Sequence, residues 1–228
     1  MRKPHYAWAI CAGCTLLLLV SGGLAVNAFS VAQPYILAQN GFTNTQTSMI
    51  TTVRAAAYLG CMALMPRFYG RLGYRWGTAA AALFGVLAFV LFGAAKQLWT
   101  YYLAGLVAGL SYGFGSMVPV SILITRWFRE KHGLALGICA AGTGLAAVLF
   151  SPLMTALIEK YSLAVCFYAM AGVSLLLTLL VFLLVRESPE GCGKTAYGAA
   201  VQAENTEAAS GGAELSCGRW TALFVSMC

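Results

Sequence analysis

The sequence predicts an all-α membrane protein of six transmembrane helices. Three observations predict it. Charged residues make up 9% of the chain and apolar residues 60%, against roughly a quarter charged in soluble domains. The chain contains six long apolar stretches. The basic residues between those stretches alternate between many and few, as successive crossings of one bilayer require.

Each helix follows from length and charge. A hydrocarbon core about 30 Å thick needs roughly 20 apolar residues at 1.5 Å each. No residue from Tyr6 to Val53 is charged. Ala7 to Ser30 is apolar, and Gln33-Pro34 and the polar run Gln39–Asn44 close the stretch, so the first helix is expected over 7–34. The second, over 46–66, carries a single charge, Arg54. The third is charge-free from Trp76 to Ala95, and the fourth lies within 97–125. The fifth lies within 133–158 and the sixth within 161–185.

The loops test this with different residues. Arg2 and Lys3 precede the first helix, and the first connection has no charge. The second connection holds Arg67, Arg71 and Arg75, the third only Lys96. The fourth holds Arg126, Arg129 and Lys131, the fifth only Lys160, and Arg186 and Lys194 follow the sixth helix. Lys and Arg favour cytoplasmic loops, so the N-terminus and the segment after the sixth helix are expected in the cytoplasm. The expected location is the plasma membrane, or the inner membrane of a Gram-negative cell, and the partner is the lipid bilayer. The net charge of +7 is this bias and implies no nucleic acid. A cleaved signal peptide, suggested by Met1-Arg2-Lys3 and Ala25-Val26-Asn27-Ala28, has an apolar run too long for its class.

Motifs for catalysis or cofactors dissolve on inspection. Cys11-x-x-Cys14 has redox spacing but lies in an apolar helix, where cysteine acts as a small hydrophobe. The other cysteines are expected as free thiols. Gly193-Lys194-Thr195 lacks the first glycine of a phosphate loop, since Ser188 stands there, and follows a membrane helix instead of a strand. Gly142-x-Gly144-x-x-Ala147 sits within an apolar helix. No Ser, His, Asp or Cys constellation for an enzyme is visible, and no cofactor or metal is implied.

What remains lies inside the helices. Gly105, Gly109 and Gly113 repeat every four residues on the fourth helix, beside Gly115; Gly133, Gly137, Gly142 and Gly144 mark the fifth. Small residues at this spacing let backbones approach. Simple packing explains each glycine alone, while two such faces on neighbouring helices suggest a tight, sliding pair. Arg54 is placed about 12 Å below the outer surface, where a guanidinium costs at least about 2–3 kcal/mol unless paired or hydrated. Thr47, Thr51, Arg54 and Tyr58 share one helical face. The chain has no Asp, and its seven Glu lie outside the helix interiors. Arg54 therefore either faces a watery cavity and draws in an organic carboxylate, or snorkels to the interface.

Two stretches resemble a known family. Arg71-Leu72-Gly73-Tyr74-Arg75 resembles the end of the major facilitator loop motif, Gly-x-x-x-Asp-Arg-x-Gly-x-Arg. The stretch Arg126-Trp127-Phe128-Arg129-Glu130-Lys131-His132-Gly133-Leu134-Ala135-Leu136-Gly137 is similar to the oxalate/formate antiporter and monocarboxylate porter branch. Ala141-Gly142-Thr143-Gly144 and Ser151-Pro152 fit that branch too. The resemblance covers residues 6–187. It implies a secondary active or facilitative transporter, antiport included, of a small organic anion, a monocarboxylate or dicarboxylate, working by alternating access. It implies half of a twelve-helix fold, as two inverted three-helix repeats. Arg71, Gly73 and Arg75 would form the gating loop motif, and Arg126, Trp127, Phe128, Gly133 and Gly137 a second cytoplasmic motif. Candidate substrate-lining residues are Asn27, Ser30, Arg54, Tyr58, Tyr112 and Ser116, for each of which interhelical hydrogen bonding is the other reading.

The chain departs from the family pattern. Gly70 stands at the motif's acid position and Pro66 at its first glycine, so the usual brace of the second connection is missing. Either another contact replaces it or this copy gates poorly. The branch's carboxylate-binding basic residues are mostly assigned to the second half. Residues 1–187 form the expected bundle, 188–216 a flexible linker, and 217–228 the opening of a seventh helix cut short. Expected partners are a missing six-helix half or a second copy of the chain. A non-transporting membrane assembly module, or an inactive truncated fragment, stays open as the other function.

Overall fold

The computed structural model describes residues 6–128 and 130–185. The linker 188–216 and the segment 217–228 lie outside them, as do Arg2, Lys3, Arg129, Arg186 and Lys194. Helix α1 spans Tyr6–Gln39. Asn44–Ala94 is a helical stretch of 51 residues, about 76 Å if straight and far more than a bilayer needs. Gly73 breaks it, with φ 73° and ψ 168°, into α2 (44–72) and α3 (74–94). Helix α4 spans Leu98–Trp127, α5 His132–Lys160 and α6 Leu163–Leu184. Five helical stretches long and apolar enough to cross a membrane, one of them divided at Gly73, make the six expected spans among the described residues. The second connection is therefore one residue, not a loop: Arg67 and Arg71 belong to α2 and Arg75 to α3.

Side-chain contacts give each helix its direction. Along α4, Gly105 meets Ile50 and Gly113 meets Cys61 of α2, so the two run parallel. Tyr101 lies 6.2 Å from Phe92 and Ser111 faces Gly85, so α3 runs opposite to α4. Tyr6 packs on Trp127 and Ser21 on Gly115, so α1 opposes α4. Cys11 meets Cys139 and Tyr35 meets Glu159, so α5 runs with α1. Phe92 stacks on Phe167 and Trp76 meets Phe182, so α6 opposes α3. Successive helices thus alternate in direction, as six crossings demand. The start of α1 and the end of α6 share one face, where Tyr6 Oη donates to the Leu184 carbonyl.

That face carries the positive charge. Arg67, Arg71, Arg75, Arg126 and Lys131 lie there among the described residues, against Lys96 and Lys160 at the other end. The surface between the ends is apolar. Leu134, Leu145, Val148, Leu149 and Leu153 of α5, and Leu175, Leu176, Leu179 and Leu183 of α6, are exposed. A face of this extent is unsuited to water and suited to lipid.

Two helix ends show why the chain turns where it does. Gly41, at φ 65°, closes α1 in the left-handed conformation that glycine adopts without penalty. Thr43 then caps α2 through a reciprocal pair with Gln46, two N–H groups satisfied at once. Helix α1 runs past the expected end at 34, because Pro34 is accommodated within the helix.

The glycine stripe of α4 has a different partner from the one expected. A Cβ on Gly109 would lie 2.5 Å from the Arg54 carbonyl oxygen, and one on Gly105 2.9 Å from Ile50. The stripe therefore seats α2. On α5, Gly133, Gly137 and Gly144 have open space before them, and only Gly142 meets a neighbour, Thr15 of α1. No tight glycine pair joins α4 to α5. The five described cysteines are free and buried, as small core hydrophobes.

Two substitutions test this architecture. Gly73→Ala forces a side chain into a backbone region nearly reserved for glycine, at a cost of about 1–3 kcal/mol, and the loss of helical circular dichroism on heating in detergent should shift down. Gly109→Ala overpacks backbone against backbone and should cost a similar amount, about 1–3 kcal/mol, while Gly137→Ala should leave the transition in place.

Candidate functional site

The site forms where α1 and α4 depart from regular helix. Leu19–Asn27 of α1 is wound as a π-helix, the wide form that recurs at functional sites. Gly22 and Gly23 lie inside it. A Cβ on Gly22 would lie 3.0 Å from Thr143 of α5 and 3.6 Å from Tyr112 of α4, and Gly23 packs directly on Ala146. The glycines thus press the wide turn into the bundle centre.

Helix α4 breaks at Gly115-Ser116 into Leu98–Phe114 and Met117–Trp127. The cause is Pro119, which has no N–H for the Gly115 carbonyl four residues back and clashes with it. Two side chains satisfy the freed carbonyls. Ser21 Oγ donates to Gly115 O at 2.6 Å, and Tyr69 Oη donates to Phe114 O at 2.6 Å. Ser116 heads the second segment without a cap bond. Its hydroxyl is buried and has no hydrogen-bond partner among the described residues.

Arg54 sits between these irregular helices. It is ten residues into α2, about 15 Å down at 1.5 Å per residue, deeper than expected because α2 begins at Asn44. The side chain turns onto α1 and does not snorkel along its own helix. Its Nη1 lies 3.5 Å from the Ala25 carbonyl of the π segment, and its guanidinium 5.5 Å from the Phe29 ring centroid. It makes no ion pair among the described residues. One turn below, the Tyr58 ring lies 4.8 Å from that of Tyr112, and neither phenol hydroxyl makes a hydrogen bond among the described residues. Three expected residues, Arg54 and Tyr58 of α2 and Tyr112 of α4, therefore lie along one contact between the two helices.

The other expected lining residues stand apart. Ser30 is exposed and spends its hydroxyl on the Val26 carbonyl. Asn27 is half-buried at the end of the π segment. Ser116 lies one turn beyond Tyr112, across the break. The π segment, Phe29, Ser21 and Tyr69 were not anticipated; Gly22-Gly23 and Pro119 were the available signals.

The cytoplasmic motifs resolve into packing and cation–aromatic contacts. Arg71 is exposed. Arg75 stacks 4.4 Å over the Phe182 ring of α6, its Nε buried and without a hydrogen-bond partner among the described residues. Arg126 stacks 4.5 Å over Tyr74. Aromatic rings thus hold arginines at the end where the resembled motif would use an acid. Trp127 and Phe128 are fully buried against the start of α1, with Trp127 on Tyr6 and Phe128 edge-on to Trp8. Gly133 and Gly137 are exposed at the start of α5.

Tyr69→Phe tests the break directly. It keeps the ring and strands the buried Phe114 carbonyl, at about 1–3 kcal/mol; Tyr58→Phe strands nothing. Only the first should lower the midpoint of thermal unfolding in detergent.

The comparisons with known proteins agree with this architecture. The Major Facilitator Superfamily pattern matches residues 15–226. MFS-type transporter 1 of Ophiocordyceps sp. (strain BCC 1869) is 31% identical over 163 residues, covering 68% of this chain and 34% of its own length. Monocarboxylate transporter 12 of Mus musculus is 25% identical over 160 residues, covering 69% of this chain and 32% of its own. Monocarboxylate transporter 4 of Rattus norvegicus is 25% identical over 171 residues, covering 75% and 36%. The chain spans about a third of the length of the curated relatives it matches. With its alternating apolar helices and this match, the chain is a multi-pass membrane protein of a transporter family, and it belongs to the Major Facilitator Superfamily.

Proposed function

We propose that this bundle is the N-terminal half of a transporter for a small organic anion, a monocarboxylate or dicarboxylate, moved by alternating access. Arg54 carries the reading. It is a guanidinium deep in an apolar span, held by a carbonyl and a ring, with no carboxylate opposite it among the described residues. Charge-assisted hydrogen bonds to a carboxylate contribute about 1.5–3 kcal/mol. Tyr58 and Tyr112 supply hydroxyl donors and apolar ring faces beside it, which suits an anion with a short carbon skeleton. The relatives named as monocarboxylate transporters support the same class.

The two inverted three-helix repeats would be α1–α3 and α4–α6, and the broken helices would be the elements that flex. The basic end would face the cytoplasm, with the N-terminus there. A second six-helix half, or a second copy, would complete the pathway at the Arg54 side. The oxalate/formate antiporter branch stays part of this proposal through the Trp127-Phe128 stretch. No acid lies in the helix interiors, so proton coupling through a buried carboxylate would have to come from elsewhere.

Uptake of labelled lactate and oxalate into sealed proteoliposomes tests the reading, with the chain alone and with a second half supplied. Arg54→Gln should reduce uptake about tenfold or more, the equivalent of ~1.4 kcal/mol per factor of ten, and Arg54→Lys should retain part. Equal uptake by Arg54→Gln and the parent would remove Arg54 from the site. No flux of any carboxylate in either arrangement would favour a non-transporting assembly module.

A further inference from the structure

The Cys11-x-x-Cys14 motif has its partner on another helix. Cys11 of α1 and Cys139 of α5 meet in the bundle interior, with their sulfurs 3.8 Å apart. Each thiol also reaches the backbone of the other helix. Cys11 Sγ donates to the Ala135 carbonyl at 3.6 Å, and Cys139 Sγ to the Cys11 carbonyl at 3.6 Å. One turn further along, a Cβ on Gly142 would lie 2.9 Å from the Thr15 carbonyl oxygen. The two backbones therefore run close together at this level, and the sulfurs need to approach by only about 1.8 Å to reach the ~2.05 Å of a disulfide.

The pair is sealed inside the six helices. Cys11 is 2% and Cys139 0% exposed, so no outer surface of the bundle is involved. Among the described residues no three His, Cys, Asp or Glu side chains are grouped to hold a metal ion, and thiolates on a metal would leave charge in an apolar core, which is costly. A disulfide is uncharged. Cys14, buried in the same cluster, also bears on Cys139; the reciprocal contacts with backbone favour Cys11.

We propose that Cys11 and Cys139 form a redox-sensitive clamp, a disulfide that ties α1 to α5 on exposure to peroxide. The oxidant is hydrogen peroxide, small and neutral enough to enter between packed helices as they open locally. The sulfur of Cys139, which accepts a hydrogen bond from Thr15 Oγ1 at 3.7 Å, attacks one peroxide oxygen. The O–O bond breaks, water leaves with the thiol proton, and a sulfenic acid remains. The Cys11 sulfur then attacks the Cys139 sulfur; the S–O bond breaks, the S–S bond forms, and a second water leaves with the remaining thiol proton. Two thiols lose two electrons, and one peroxide is reduced to two waters. The bond closes a loop across 128 positions, which stabilises the folded bundle by restricting the unfolded chain. It lies on the seam that continues to Gly22 with Thr143 and Gly23 with Ala146 in the π segment. The clamp is independent of what the Arg54 site transports.

Peptide mapping by mass spectrometry decides it, on the intact chain treated with hydrogen peroxide in detergent and alkylated after denaturation. Peroxide is raised until Met49, 53% exposed, is converted to its sulfoxide. A Cys11–Cys139 linked peptide should then be present, vanish on reduction with a phosphine, and be absent from Cys139→Ser, while Cys14→Ser still forms it. The midpoint of thermal unfolding should rise in the linked chain and return on reduction. Cys11 and Cys139 left free once Met49 is oxidised would overturn the proposal. So would a Cys14–Cys139 link in the parent chain, or an unchanged midpoint in the linked one.

Discussion

The close approach of α2 to α4 is the constraint on which the rest depends. Lipid tails are as apolar as leucine, so membrane helices gain little from burying apolar surface and rely on packing and interhelical hydrogen bonds. Gly105, Gly109 and Gly113 let the α2 backbone lie against α4 at Ile50, Arg54 and Cys61. With the Arg54 carbonyl seated on Gly109, its side chain leaves toward α1 and finds Ala25 and Phe29. The same contact brings Tyr58 onto Tyr112. Where the stripe ends at Gly113 the helices part around a cleft lined by Met62, Met65, Val118 and Ile122.

A second requirement governs the irregular segments. Backbone groups in a bilayer need partners within the protein. Pro119 frees the Gly115 carbonyl and the break leaves that of Phe114, and each is met by a hydroxyl from another helix, Ser21 from α1 and Tyr69 from α2. The break therefore ties three helices together. Ser21 is itself at the start of the π-wound turn, so the irregularity of α1 and that of α4 are joined by one hydrogen bond.

Much of this was legible in the sequence. Apolar length and loop charge gave six spans and their alternation, because a bilayer imposes both regardless of packing. Arg54, Tyr58 and Tyr112 could be singled out since polar groups in such spans need reasons. Packing partners could not be read: a stripe of glycine says that something approaches closely, not which helix, and α2 proved to be the partner where α5 was expected. The second connection was misjudged because three arginines suggested a loop, whereas glycine at positive φ turns the chain in one residue. The π turn left only Gly22-Gly23 as a trace, and apolar windows look alike whether wound as α or π.

The scarcity of acid shapes the basic end. Elsewhere arginines at a membrane edge pair with carboxylates; among the described residues only Glu130 stands near this one. Arg75 and Arg126 use rings instead, Phe182 and Tyr74. A cation–aromatic contact contributes about 0.5–1 kcal/mol at exposed sites and does not neutralise the charge. The arginines are thus positioned without being cancelled, and so is Arg54 by Phe29 at the other depth. An ion pair would hold a helix more firmly but would leave no net field for an anion. Rings fix the guanidinium without cancelling its charge.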